Sequence, residues 1–382
     1  MKLSPLLLAP VLVAGCALTP DYSRPLPPGS PALIEVEPGE LRPDFSSQFY
    51  ERGEILPALE RSIEWMHKGS SQQHFPIEGV THERALASLE RFRQVLMGSH
   101  DARQFARRIE SEFTLYKSAG WNGNGGGVLF TCYCTPILRG SLAESREYRY
   151  PLYSLPPDLM KGPKGQILGR QTATGIEPYP TRRTIEASAM LEGRDLELVW
   201  LADPIDAYIA HVNGSAFVKL DTGEMLRLGY AGKNGREYRS LGGALIEAGR
   251  LGADEVSLAS IRRWSRENPS EVQNFLDRND SYVFFTAIEG TPRGSLNLPV
   301  EPGRTLATDK TIFPRGALVY VDTAYGGRHG AQMHRFMFDQ DTGGAIRTAG
   351  RADMYLGIGP EAESLAGATR AEGQLYYLFL NE

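Results

Sequence analysis

In the first third of the chain, apolar residues recur at every third or fourth position, and this pattern predicts three helices. The periodicity is clear over Ile55 to His67 and over His82 to Leu96, and it is looser over Ala102 to Leu115. Asp101 is a candidate to cap the start of the third helix, because its short side chain can accept a hydrogen bond from a free backbone N–H. We expect these helices to support the fold and not to carry chemistry.

From Gly123 onward the pattern changes to short alternating or continuously apolar runs, which predict a β-rich body. The 41 glycines and 25 prolines favour the same turn-rich architecture. The runs that predict strands are Val128 to Pro136, Glu197 to Leu201, Tyr208 to Val212, Ser281 to Ala287, Leu318 to Asp322, Met333 to Asp339 and Gln374 to Leu380. Short helices are predicted over Arg236 to Arg250, Leu258 to Glu267 and Ser270 to Asp277.

The amino terminus has the pattern of a lipoprotein signal peptide over residues 1–15. Lys2 precedes an apolar run that is too short to span a bilayer, and small residues lead into Cys16. We expect cleavage before Cys16 and acylation of its thiol, which would anchor the chain in a lipid bilayer. An ordinary secretory signal is the alternative. Ala17 stands where an aspartate would indicate inner-membrane retention, so the predicted location is the periplasmic face of the outer membrane. The proline-rich residues 16–50 are typical of an extended tether.

Charge and cysteine content narrow the classes of partner and cofactor. The 382 residues are enough for about two domains, and the net charge of -5 does not favour nucleic acid. Cys132 and Cys134 lie on the same face of a predicted strand, about 6.5–7 Å apart, which is too far for a disulfide. We therefore expect two reduced, buried thiols. A metal site would need further ligands, and we predict neither a metal nor a cofactor.

Two aspartates near the carboxyl terminus are the strongest candidates for chemistry. Asp341 ends a predicted strand just before Gly343 and Gly344, where the backbone can approach a ligand closely. Asp353 follows twelve residues later, close to Arg351. Two carboxylates that share a site push their pKa values apart, which suits an acid catalyst. For each aspartate alone, a role in a turn or a salt bridge is the simpler interpretation.

Several motifs, in one order along the chain, resemble those of the membrane-bound lytic murein transglycosylase A family. They are Phe130-Thr-Cys-Tyr-Cys-Thr-Pro136, Trp200 to Tyr208, Tyr230-Ala-Gly-Lys-Asn-Gly235, Gly303-Arg-Thr-Leu-Ala307, and Asp341-Thr-Gly-Gly-Ala-Ile346 followed by Arg351, Asp353 and Gly357. Ordered matches cover about residues 128–380. Each motif alone would be modest evidence, but their order makes coincidence improbable.

The resemblance implies a mainly β fold with N-terminal helices. A double-psi β-barrel catalytic domain, interrupted by a second, mostly β domain, would enclose a glycan-binding groove. On this chain, residues 51–136 and 281–382 would form the catalytic domain, and residues 137–280 the inserted domain.

The resemblance also implies the reaction and its residues. The family cleaves the β-1,4 bond between N-acetylmuramic acid and N-acetylglucosamine without water and leaves 1,6-anhydro ends. Asp353 matches the acid/base of the family, Asp341 is the alternative, and Arg351 and the other aspartate would support it. The expected substrate-binding residues are Tyr133, Ser215, Lys233, Asn234, Tyr238, Gly343 and Gly344. Peptidoglycan strands, and proteins that synthesise or divide the wall, are the expected partners.

The chain departs from the family pattern at three places. Cys132-Tyr133-Cys134 stands in place of Gly-Tyr-Tyr, Asn213-Gly214-Ser215-Ala216 in place of Gln-Gly-Ser-Gly, and Arg347 in place of a lysine. These changes could retune a sugar subsite or weaken activity. They leave open a wall-binding protein that lacks catalysis, as in expansin-like barrels, and a glycosidase that hydrolyses its substrate.

Overall fold

The computed structural model describes residues 20–163, 165–252, 255–326 and 330–382. Within them the strands are β1 Leu33–Glu35, β2 Phe113–Ser118, β3 Val128–Thr135, β4 Ile137–Ser141, β5 Tyr150–Tyr153, β6 Leu159–Lys161, β7 Ile167–Thr172, β8 Gly175–Glu177, β9 Glu197–Leu201, β10 Ala216–Leu220, β11 Met225–Lys233, β12 Val283–Ala287, β13 Thr305–Ala307, β14 Leu318–Tyr325, β15 Ala331–Asp341, β16 Arg351–Ile358 and β17 Arg370–Leu380. The α-helices are α1 Arg52–Met66, α2 His82–Gly98, α3 Ala102–Glu112, α4 Arg182–Ala187, α5 Pro204–Asn213, α6 Leu241–Glu247, α7 Leu258–Glu267, α8 Val272–Leu276 and α9 Pro360–Ala368.

Six strands close into a ring in the order β17-β14-β15-β13-β16-β3, because β3 pairs with both β16 and β17. β1 and β2 extend this sheet from β17. The pairs β13–β15 and β3–β16 are parallel, and the other pairs of the ring are antiparallel. Apolar side chains of these strands, such as Leu306, Val319, Phe338 and Met354, are buried in one continuous core. The closed ring leaves no free strand edge around this core.

β17 changes partners along its length, which is how it closes the ring. Residues Arg370 to Gly373 pair with β3, and residues Tyr376 to Leu380 pair with β2. A Cβ on Gly373 would lie 2.3 Å from the backbone oxygen of Asp322. The two backbones can approach this closely only because the residue at the changeover is glycine.

Helices α1 to α3 pack against the ring at the positions that the apolar periodicity predicts. Asp101 caps α3 as expected and accepts a hydrogen bond from the N–H of Gln104 at 2.7 Å. The side-chain amide of Gln340 on β15 donates to the backbone oxygen of Ala58 at 2.6 Å and to Ser62 Oγ at 2.9 Å. Helix α1 is thereby fixed to the strand that ends in Asp341. The third predicted helix ends at Glu112 and not at Leu115, because Phe113–Ser118 pairs with β17.

The second body carries a six-stranded sheet in the order β12-β11-β10-β4-β9-β5 and a three-stranded sheet of β6, β7 and β8. Helices α4 to α8 pack with these sheets, so this body is mixed and not mostly β as expected. Strand β12 belongs to this sheet because Val283 to Ala287 pairs with β11. The predicted boundary at residue 280 is therefore wrong, since the second body extends to Ala287.

The run Tyr208 to Val212 is helical in α5, and the strand prediction there is wrong. Asp203 accepts a hydrogen bond from the backbone N–H of Ile205 at 2.8 Å, and Pro204 occupies the first turn. Gly214 ends the helix with a φ of 67°. A capping aspartate, a proline and a left-handed glycine are the ordinary signals of a short helix, and they override the β-branched content of the run.

The proline-rich segment is only partly a tether. Ala32, Leu33, Val36, Phe45 and Phe49 are buried in the barrel core, and β1 pairs with β2. The expectation of an extended tether over residues 16–50 is therefore wrong from Ala32 onward, because burial of these apolar side chains holds the segment on the body. The predicted signal peptide and Cys16 lie outside the described residues.

Candidate active site

The two candidate aspartates lie at the same level on either side of the short strand β13. Ala307 pairs with Asp341 of β15 and with Asp353 of β16. Neighbouring strands lie about 4.8 Å apart, so the two Cα atoms are separated by about 10 Å. Residues directly opposite one another in a sheet point to the same face. The pairing therefore brings both carboxyl groups to one face, as the sequence predicts.

Asp353 is a partly accessible carboxyl group whose pKa is raised. The hydroxyl of Thr131 donates to Asp353 Oδ1 at 2.8 Å, and Arg351 Nη2 donates to Thr131 Oγ1 at 3.3 Å. The pKa of Asp353 is raised to about 6, mainly by burial and in smaller part by the charge of Asp341, while Thr131 and Arg351 oppose the shift. At neutral pH about one in ten molecules would then carry the proton on Asp353.

Asp341 accepts more hydrogen bonds than Asp353. The hydroxyl of Tyr133 donates to Oδ2 at 2.6 Å, and the backbone N–H groups of Ser295 and Thr342 each donate to Oδ1 at 2.8 Å. Burial raises the pKa of Asp341, and these three donors counteract the shift because they stabilise the charged form. The donors also fix the orientation of the carboxyl group. The two aspartates therefore differ mainly in the number of groups that stabilise their charge.

A chain of hydroxyl groups joins the barrel to the second body beside the aspartates. The ring of Tyr133 lies 5.2 Å from the ring of Tyr355, centroid to centroid. Thr135 Oγ1 lies 3.2 Å from the hydroxyl oxygen of Tyr355 and 3.3 Å from Ser215 Oγ. Ser215 precedes β10 of the second body, so the candidate site lies between the two bodies.

The opposite side of the site is formed by a tyrosine and a glycine turn. A Cβ on Gly344 would lie 3.6 Å from the Cβ of Tyr238, so the turn after Asp341 contacts the second body. Burial raises the pKa of Tyr238 well above its usual value, and Asp353 contributes to this shift. Gly343 accepts a hydrogen bond from the N–H of Ile346 at 3.2 Å, which closes the turn.

Lys233 and Asn234 follow one another but have different surroundings. Lys233 is partly accessible, and burial together with Arg347 lowers its pKa. Asn234 is buried, and its amide donates to the backbone oxygens of Pro180 and Asp280 at 2.9 and 2.8 Å. Its oxygen accepts from two further backbone N–H groups. All four hydrogen-bonding positions of the side chain are therefore occupied within the protein, and substrate binding by Asn234 stays a prediction. Asn234 braces the loop that carries Tyr238.

The departures at Cys132, Cys134 and Asn213 place no charge in the site. Cys132 and Cys134 are free thiols, and burial raises the pKa of each, that of Cys134 to about 12. Cys134 is buried as expected, while Cys132 is partly accessible. Asn213 Nδ2 donates to the backbone oxygen of Ile209 at 3.0 Å, so this side chain stabilises the end of α5. Over the described ranges, no group of three or more His, Cys, Asp or Glu side chains could hold a metal ion.

Thr131, Thr135 and Tyr355 were not among the predicted site residues. Thr131 is two residues from Tyr133 on β3 and so points to the same face of the strand. That alternation was a signal in the sequence, but it could not show which carboxyl group each hydroxyl would reach. The pairing of Asp353 with Thr131 across β16 and β3 supplies this information.

Known proteins match the chain in both bodies. The family model described as the MltA specific insert domain matches residues 129–286, and the one described as the 3D domain matches residues 304–379. The chain is 33% identical over 268 residues to membrane-bound lytic murein transglycosylase A of Vibrio cholerae, with 68% of each protein covered. It is 31% identical over 262 residues to the protein of that name from Escherichia coli strain K12, covering 67% of this chain and 66% of the relative.

A solved structure agrees with these matches over nearly the whole chain. The crystal structure of membrane-bound lytic murein transglycosylase from Agrobacterium tumefaciens is similar, with a TM-score of 0.75 and 26% identity. The alignment covers 91% of this chain and 98% of that one.

Replacing Thr131 with valine should raise the pKa of Asp353 above about 6, because the hydroxyl stabilises the carboxylate. The pKa can be followed by NMR titration of carbon-labelled aspartate carboxyl groups. Thr323→Val is the matched control, since its buried hydroxyl has no partner among the described residues. An unchanged or lowered pKa in Thr131→Val would contradict the assigned hydrogen bond.

Proposed function

The chain belongs to the membrane-bound lytic murein transglycosylase A family, and we propose that it cleaves the β-1,4 bond between N-acetylmuramic acid and N-acetylglucosamine without water. It is a lytic transglycosylase acting on peptidoglycan, and the bond and the 1,6-anhydro product are the proposed part. The observation that carries this proposal is the position of Asp353, which pairs with Ala307 opposite Asp341. In that position the pKa of Asp353 is raised to about 6.

One carboxyl group can serve both halves of the proposed reaction. Protonated Asp353 donates its proton to the glycosidic oxygen as the bond to C1 of the muramic acid breaks. The resulting carboxylate then accepts the proton of the 6-hydroxyl group while that oxygen bonds to C1 and closes the anhydro ring. Asp353 ends the reaction protonated, so no water is consumed and no second catalytic carboxylate is required.

Asp341 and Arg351 have supporting roles in this mechanism. The negative charge of Asp341 favours the protonated form of Asp353 that begins the reaction. Arg351 favours the carboxylate that forms after proton donation, directly by its charge and through its hydrogen bond to Thr131. These opposing influences suit a group that must give and then take a proton near neutral pH.

The proposed glycan groove runs between the two bodies. Tyr133 and Ser215 would line one side, and Lys233, Tyr238 and the backbone at Gly343 and Gly344 the other. Aromatic rings with nearby hydroxyl and amine groups suit sugar rings that carry hydroxyl and acetamido groups. The ring of strands with two parallel pairs supports a double-psi barrel as the scaffold.

We further propose that the chain is anchored through acylated Cys16 at the periplasmic face of the outer membrane. Over the described residues, no helix has the length and apolarity needed to cross a membrane. Its relatives are named membrane-bound. Lipid chains on Cys16 would supply the attachment, and the peptidoglycan layer would then lie within reach. Wall-synthesis or division proteins are proposed as partners on the same grounds.

Asp353→Asn should lower the release of anhydromuropeptides from murein sacculi by at least about 100-fold, the usual scale of general acid–base catalysis. Asp322→Asn is the matched control, because Asp322 lies on β14 in an ion pair with His334. Products are identified by chromatography and mass spectrometry. If Asp353→Asn retains wild-type activity, this acid is wrongly assigned. If wild type binds sacculi but releases no fragments, a non-catalytic wall-binding protein replaces the enzyme.

The pH dependence should show which form of Asp353 begins the reaction. Because the protonated form is required, kcat/KM should fall as pH rises through about 6. Asp341→Asn removes a charge that raises the pKa of Asp353, so this limb should move to lower pH. A pH–rate profile on soluble glycan fragments measures the shift, with Asp322→Asn as the control. A limb that moves to higher pH in Asp341→Asn would rule out this electrostatic role.

Cys16→Ser should move the protein from the membrane fraction to the soluble fraction, because the hydroxyl cannot form the thioether of a lipoprotein. Immunoblots of fractionated cells measure the distribution. Cys134→Ser is the control, since this buried thiol lies in the barrel. Unchanged membrane retention of Cys16→Ser would exclude acylation at Cys16.

A further inference from the structure

A cavity of about 290 Å³ lies in the second body, and neither Asp341 nor Asp353 lines it. It is lined by β5, α4, α5 and α8, together with Tyr282 before β12, and it is partly open to the surface. Its volume is at the lower end of the range of small-molecule sites, about 300–1,000 Å³. The proposed reaction uses none of the residues that line it.

Four side chains that line this cavity are at least 95% buried and have unpartnered polar atoms. They are Tyr153, Arg182, His211 and Tyr282. Nε of Arg182 is fully buried and has no hydrogen-bond partner. Within the described ranges no residue hydrogen bonds to the two tyrosine hydroxyls or to Nε2 of His211, and these three atoms are accessible from the cavity. Buried polar groups are nearly always satisfied. One buried, unpartnered donor beside three polar atoms that open onto the same cavity points to a ligand.

These polar atoms present mainly hydrogen-bond donors. Nδ1 of His211 accepts from the backbone N–H of Val283 at 3.0 Å, so the neutral ring carries its hydrogen on Nε2. Burial and the neighbouring Arg182 lower the pKa of His211 well below its usual value, which keeps the ring neutral. Nε of Arg182 is a donor, and both tyrosine hydroxyls can donate. The ligand should therefore present acceptors, such as the oxygen of an acetamido group.

The charges around the cavity argue against an anionic ligand. Arg182 Nη1 is paired with Glu186 at 3.0 Å, and its Nη2 donates to the backbone oxygen of Ser281 at 2.9 Å. Glu192 and Asp277 also line the cavity, so three carboxylates face one guanidinium. An anion would be repelled by this excess of negative charge.

The remaining lining suits a sugar ring. Tyr150 and Pro151 are only partly buried and give the cavity an apolar side. Apolar and aromatic surfaces with a few converging polar groups are typical of sites for small polar ligands. We propose that this cavity is a second, non-catalytic binding site for a small neutral N-acetylated sugar. The choice of an N-acetylated sugar rests on the proposed function, and the acceptor-bearing, non-anionic character rests on the cavity.

Isothermal titration of the full-length chain in detergent with N-acetylglucosamine tests this site. We expect saturable binding, with glucosamine bound at least about tenfold more weakly because it lacks the acetamido oxygen, and glucuronate at least about tenfold more weakly because it carries a negative charge. Tyr282→Phe should weaken N-acetylglucosamine binding by about tenfold, the scale of one lost hydrogen bond. Ala207→Leu, which fills the cavity from α5, should abolish it.

Tyr133→Phe is the groove control and should leave this binding unchanged. Circular dichroism checks the folding of each variant, and the ranking of the three sugars on the wild-type chain needs no variant. No saturable binding, equal binding of a charged sugar, or loss of binding in Tyr133→Phe but not in Tyr282→Phe would overturn the proposal. Binding needs no bond cleavage, so a chain that released no anhydromuropeptides could still pass this test.

Discussion

The pairing of Ala307 with Asp341 on one side and Asp353 on the other is the constraint on which the site depends. It requires β13 to run parallel to β15 and antiparallel to β16, an arrangement that the closed ring enforces. A shift of one residue on either strand would turn one carboxyl group to the opposite face. Helix α1 stabilises this register, because Gln340, the residue before Asp341, donates hydrogen bonds to it. The fold and the chemistry are thus linked through one short strand of three residues.

Burial and hydrogen bonding together determine how the pKa values of the two aspartates are shifted. Burial is the largest influence on the pKa of both carboxyl groups and raises each. Asp341 receives three donors, one of them from Tyr133, whereas the described hydrogen bond to Asp353 is the single one from Thr131. This difference supports the proposal that Asp353 donates the proton and that Asp341 acts as a fixed charge. The departures at Cys132 and Cys134 leave these contacts in place, because the tyrosine between them reaches Asp341.

Apolar runs in the sequence predicted β3, β14, β15 and β17 of the ring, since such runs are local signals. They did not predict β13 or β16, although these strands carry Ala307 and Asp353. The sequence could not locate Thr131 beside Asp353, because that contact depends on the parallel pairing of β3 with β16 across 222 residues of chain.

The hydrogen bonds of Asn234 were also beyond the reach of the sequence. The motif that contains Asn234 predicted substrate binding, but the side-chain amide donates its hydrogen bonds to backbone oxygens of the second body. The β-branched residues near Tyr208 predicted a strand where the chain forms helix α5. Asp203, Pro204 and Gly214 are the local signals of that helix, and they stand at its ends.

In the proposed reaction Asp353 gives a proton to the glycosidic oxygen and takes one from the 6-hydroxyl group, and water takes no part. Digestion of murein sacculi in water enriched with heavy oxygen tests this most directly, with the products weighed by mass spectrometry. We expect anhydromuropeptides that contain no heavy oxygen at the newly formed N-acetylmuramic acid end. Reducing ends that carry heavy oxygen would contradict it, because they would show that water attacks C1.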